Sequence, residues 1–285
     1  MKRDKILESL PGPEVMKMRL RTFAMLDAIV SRGQRSFEFH PKWGRAQQMG
    51  AFKDGEGNFF FAWFSPRGAV LRGFDHESVM SPFRQTPPAH WPGLFEGLPG
   101  ELSYALREPA FALDEVTFCF WYTGDRWRSA PLKLPRGRNV DGAESLLACF
   151  APKFSQWAAG YYGEPLDAAA LAKVWWGREP IDGPTAAALN ADFDAREVRA
   201  EAKLLGYALG DLASRTPPLK KATRAPPPPP RSFGAAEFLV RCEPTRVRML
   251  IHGKEVVAET RIDVYEQLFD LVKAHIRGAA KAARR

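Results

Sequence analysis

The chain has few cysteines, few histidines and no long apolar run, and each shortage removes a class of function. Its three cysteines, Cys119, Cys149 and Cys242, lie far apart and form no Cys-x-x-Cys pair. That spacing supports neither a zinc cage nor a disulfide framework, and inert thiols in a reducing compartment are expected. The histidines at 40, 76, 90, 252 and 275 show no ligand spacing to one another, so no metal site is expected. Gly-x-x-x-x-Gly-Lys-Ser/Thr and Gly-x-Gly-x-x-Gly are both absent, which removes the two commonest phosphate-cradling signatures, and no cofactor is expected. Apolar runs such as Phe59–Phe64 fall far short of the ~20 residues needed to span a bilayer. The start, Met1-Lys2-Arg3-Asp4-Lys5-Ile6, is charged and lacks the apolar core of a signal peptide. A cytoplasmic protein without membrane contact is the expectation.

Net charge is also scarce over most of the chain. Residues 1–215 carry 27 Lys and Arg against 26 Asp and Glu, whereas residues 216–285 carry fourteen against seven. Nearly all of the net +8 therefore sits in the last quarter, behind the five prolines Pro226–Pro230. All eight tryptophans lie before that break. The organisation expected is an aromatic-rich domain at 1–215, a basic proline-rich linker at 216–231, and a small basic module at 232–285. Five prolines adopt polyproline II, which makes a stiff spacer and also a form that docks in aromatic grooves.

Hydrophobic periodicity supplies the elements. Glu14–Val30 repeats at helical spacing, with Pro13 suited to its first turn. Strands are predicted at 36–40, 47–53, 58–64 and 69–74, separated by turn residues such as Asp54-Gly55-Glu56-Gly57 and Ser65-Pro66-Arg67-Gly68. Connections this short permit only antiparallel pairing. A hairpin follows at 115–122 and 126–131 around Thr123-Gly124-Asp125. Helices are predicted at 168–176, capped by Asp167, and at 195–205, closed by Gly206. Past the linker, strands at 237–242, 246–251 and 254–260 precede an amphipathic helix at 263–277. Strands first and helices afterwards give an α+β class: an antiparallel meander sheet with C-terminal helices, followed by a small β-β-β-α unit.

One stretch resembles a family of bacterial proteins of unknown function. Phe39-His40-Pro41-Lys42-Trp43-Gly44, Gln48-Met49, and above all Gly73-Phe74-Asp75-His76-Glu77-Ser78 with Met80-Ser81-Pro82 carry the likeness, which extends over about residues 22–209. The resemblance implies no activity.

Asp75-His76-Glu77 is the one dense cluster of unlike titratable groups, released into a loop after the strand at 69–74. A histidine between carboxylates suits a general base, yet neighbouring side chains on an extended chain point to opposite faces and assemble no site alone. Ser78 lacks a Gly-x-Ser-x-Gly elbow. No catalytic residue is assigned, and Trp43, Asp75, His76 and Glu77 are expected to bind a partner or to fix the loop. Arg246 and Arg248 alternate on one face of their strand, with Arg241 expected across from them, a candidate phosphate-contacting set. The function expected is a non-catalytic binding protein acting through protein contacts, an immunity or defence accessory factor being one form. The alternative is a nucleic-acid-associated protein using residues 216–285. A hydrolase centred on Asp75, His76 and Glu77 ranks third.

Overall fold

Six strand-length segments between residues 37 and 129 pair in chain order. The computed structural model describes residues 3–31, 35–150, 154–163, 166–213, 238–242, 247–251 and 254–258. The chain divides into two units, Met1–Ala151 with Arg196–Tyr207, and Pro152–Ala195 with Ala208–Arg285.

In the first unit, helices α1 (Arg3–Ser9) and α2 (Pro13–Val30) precede β1 (Phe37–Gly44), β2 (Gln47–Lys53), β3 (Phe59–Ser65), β4 (Gly68–Phe74), β5 (Phe118–Thr123) and β6 (Arg126–Ser129). The sheet order is β1-β2-β3-β4-β5-β6, every neighbour antiparallel, the α+β meander that the pattern predicts. A short helix α3 (Ala143–Leu146) follows the sheet, and α7 (Ala195–Leu205) closes the unit.

The strands are apolar on both sides because both faces are covered. On one face lie Phe37, Phe39, Phe52, Phe60, Ala62, Phe64, Phe118 and Phe120, all buried. Helix α2 packs on β1 and β2, and Phe23 stacks on Phe37 at 4.4 Å. Gly50 marks the closest approach: an added Cβ would lie 2.6 Å from Leu20 Cδ1. The second face carries Met49, Ala51, Phe61, Trp63, Val70, Cys119 and Trp121. It is covered by the connection between β4 and β5, through Met80, Leu94, Leu102, Ala105 and Phe111. That connection contains 3₁₀ turns at Pro82–Arg84, Gly100–Leu106 and Pro109–Phe111.

Arg72 stands in the middle of β4 on this second face, only 2% exposed. Its guanidinium donates to the carbonyls of Ala105 (3.2 Å), Ala112 (2.9 Å) and Leu113 (3.4 Å). Burial lowers its pKa to about 10. Opposite it, burial pushes the Cys119 thiol up to about 12.

The strand predicted to end at His40 runs on to Gly44 instead. Its register shifts between His40 and Gly44, so Pro41 sits in a bulge on an edge strand, where its missing N–H breaks no ladder. Helix α7 lies beside this edge, with Arg35 bound to Glu197 (2.9 Å) and Glu201 (2.5 Å).

In the second unit, α4 (Phe154–Tyr162), α5 (Ala168–Trp176) and α6 (Gly183–Leu189) are short. Asp167 caps α5, its Oδ1 accepting from Ala169 N (3.0 Å) and Ala170 N (2.9 Å). Asp182 caps α6 through Thr185 N at 2.9 Å. A separate antiparallel sheet, β7 (Phe238–Cys242), β8 (Val247–Ile251) and β9 (Lys254–Ala258), matches the three strands predicted past the linker. The linker at 216–231 and the helix predicted at 263–277 lie outside the described residues.

Candidate functional site

Hairpin geometry decides what β6 offers. Thr123 and Arg126 flank the two-residue turn Gly124-Asp125 and therefore exchange hydrogen bonds, as does the Trp121 and Arg128 pair. Trp127 and Ser129 accordingly turn their N–H and C=O groups away from β5. β6 has no second strand neighbour, and no backbone partner meets those groups among the described residues.

The open edge borders a cleft of about 870 Å³, whose lining includes all four residues of β6. Helix α1 supplies one wall through Arg3, Asp4, Ile6, Leu7 and Glu8, and the segment after β6 supplies the other. Trp127 is only 5% exposed, and its Nε1 donates to Pro11 O at 2.8 Å, tying β6 to the connection between α1 and α2. Arg3 pairs with Asp141 at 2.5 Å, with side chains 10% and 6% exposed. Asp141 is held in turn, because Thr117 Oγ1 donates to its carbonyl at 2.7 Å. The Arg3 guanidinium also lies 5.7 Å over the Phe120 ring, and its Nε is buried without a hydrogen-bond partner.

Arg126 and Arg128 line the cleft opposite Asp4 and Glu8 of α1, and the chain around them is rich in bases. The thirteen residues from Arg126 to Arg138 hold five bases (Arg126, Arg128, Lys133, Arg136, Arg138) and no acid. All five are exposed. The α1 wall presents the exposed Asp4 and Glu8 with Lys5 between them. Sequence reasoning missed this site. The run of bases was legible, but it is diluted in a near-neutral stretch, and nothing in the sequence sets Arg3 against Asp141, 138 positions away.

The segment Asp75-His76-Glu77 is bound up in its own loop. Asp75 Oδ1 accepts from Glu77 N at 2.9 Å, and Asp75 N donates to Thr117 Oγ1 at 3.2 Å. His76 N donates to Asn58 Oδ1 at 2.9 Å, and its Nδ1 lies 2.8 Å from the same oxygen. His76 Nε2 lies 3.1 Å from Glu77 Oε1. Arg84 donates to the carbonyls of Glu77 (2.8 Å) and Ser78 (3.1 Å). Ser78 is buried, its hydroxyl donating to Val140 O at 2.7 Å and accepting from Met80 N at 2.9 Å. A hydroxyl engaged on both sides is not poised as a nucleophile.

Trp43 is not brought to this loop. The register places Gly44, Gln47, Ser65 and Gly68 at one end of the sheet and Phe37, Lys53, Phe59 and Phe74 at the other. Trp43 thus sits at the end opposite Asp75, half-buried, stacked on Phe111 at 5.7 Å and edge-on to His40 at 5.5 Å. Two opposite ends of a sheet do not line one concave surface. Among the described residues no group of three or more His, Cys, Asp or Glu is gathered as a metal site would require.

In the three-stranded sheet, Arg241 and Arg248 are direct cross-strand partners, with Val257 next in the row. Arg246 lies outside the described residues.

No family model, no curated protein and no solved structure matches the chain.

Proposed function

We infer that the chain is a non-catalytic binding protein that takes an anionic protein partner in the cleft beside β6. One observation carries the reading: the exposed Arg126 and Arg128 line a cleft large enough for a peptide segment, and the chain that runs on from them to Arg138 adds three exposed bases and no acid. Basic walls speed the encounter with acidic partners and set which partners are accepted. The hydrogen bonds that tie Asp75, His76 and Ser78 to Thr117, Asn58 and Val140 favour a structural role for that cluster over chemistry. Binding of polyglutamate at two salt concentrations tests the reading. Wild-type binding that weakens with salt and is lost in Arg126→Glu/Arg128→Glu supports it, and equal binding by the two proteins overturns it.

The second reading is nucleic-acid association through the C-terminal module. The fourteen bases against seven acids in residues 216–285 favour it, because surplus cationic charge in a small module is what phosphate contacts use. Oligonucleotide binding by the full chain that is lost in Arg241→Glu/Arg248→Glu supports this reading, and unchanged binding sinks it.

A further inference from the structure

The edge of β6 is the feature that a merely basic cleft leaves unexplained. We propose that the partner binds as an extended strand added to β6, with acidic residues at alternate positions and apolar residues between them. This rests on the preceding reading of the cleft and narrows it to one binding mode.

Three observations specify the segment. First, Trp127 and Ser129 line the cleft and turn their backbone groups away from β5, with no backbone partner among the described residues, as a sheet edge open to addition does. Second, side chains alternate along β6: Arg126 and Arg128 share one face and are exposed, while Trp127 lies on the other and is buried. An added strand repeats that alternation, because residues in register share a face. Its residues on the arginine face therefore meet Arg126 and Arg128 and are carboxylates. Its residues on the other face meet Ile6, Leu7 and Trp127 and are apolar. Third, the opposite edge is bulged and carries Pro41, which lacks the N–H a continuous ladder would use, so an unbroken added ladder is directed to β6. A second copy of this chain fits poorly, because β6 on β6 would set arginines against arginines. A single-stranded nucleic acid fits poorly too, because Trp121 and Trp127, only 4% and 5% exposed, offer no ring for base stacking.

The probe is a fluorescein-labelled hexapeptide alternating Glu and Val, titrated into the full chain and followed by anisotropy. Backbone N-methylation of its alternate residues separates the modes without touching the protein. Methylation of the set whose N–H groups face β6 weakens binding by about tenfold or more, and methylation of the other set leaves it unchanged. Ser129→Pro, which removes an N–H that β5 does not use, weakens binding comparably, while Ser129→Ala does not. Arg126→Glu/Arg128→Glu also weakens it. Equal binding of both methylated peptides, with loss only in the arginine variant, overturns strand addition and leaves the basic cleft standing. Binding that ignores the arginine variant, or no binding of the peptide at all, overturns both. Preference for an oligothymidine, lost in the arginine variant, assigns the cleft to nucleic acid and likewise overturns both.

Discussion

Arg72 donates to the carbonyl of Ala112 at 2.9 Å, so a cation in the middle of β4 fastens a chain segment forty positions further on. The carbonyls of Ala105 and Leu113 accept from the same guanidinium, whose buried Nε has no partner. This arginine joins the sheet to the layer of 3₁₀ turns that covers it. Replacing it by methionine fills the volume but leaves buried carbonyls without donors, and each such loss costs about 1–3 kcal/mol. Arg72→Met is expected to lower the unfolding free energy by about 2–4 kcal/mol in urea titrations. Limited proteolysis should then cut first between residues 75 and 117.

Gly50 and Leu20 make the sharpest contact between α2 and the sheet. Gly50→Ala forces the leucine or the helix to move, at about 1–3 kcal/mol for overpacking. Leu20→Ala alone creates a cavity and costs about 2–5 kcal/mol. In the double variant the new methyl occupies part of the space Leu20 leaves. The two costs should therefore combine to less than their sum, and a double-mutant cycle of urea midpoints reads the difference.

Glu38 gives the acid limb of the stability profile. The hydrogen bond from His40, aided by Lys53, holds its carboxyl down at about 2 against the usual 4.5. Between those values the unfolded chain binds the proton that the folded chain refuses, so this contribution is complete above pH 4.5 and is lost as pH falls toward 2. Both partners are half-exposed, so salt weakens the effect. Glu38→Gln is expected to flatten stability against pH in that window, as measured by thermal melts in low salt.

The meander was readable because consecutive apolar residues such as Phe59–Phe64 require cover on both faces, and the turns between such runs are too short for parallel crossovers. Asp167 announced its helix for an equally local reason, a side chain accepting from the first turn. The extension of β1 past Pro41 was hidden, because proline ends a strand only where its N–H would have been used. Arg72 was hidden as well, since a sequence shows a charge in an apolar strand but not the three carbonyls that meet it. The cleft was least legible of all. It needs the charged N-terminal residues to be a helix, and it needs Asp141 and Trp127 to be fastened to residues more than a hundred positions earlier.

The two ends of the sheet are unequal, and this limits what the molecule can build. A stack of sheets grows only if each addition exposes a new edge like the one just filled. Here the far border is kinked at Pro41 and has α7 fastened beside it through Arg35, so it does not repeat the edge that β6 offers. The proposed addition at β6 thus has no counterpart at β1, and copies of the chain cannot stack by joining one edge to the other.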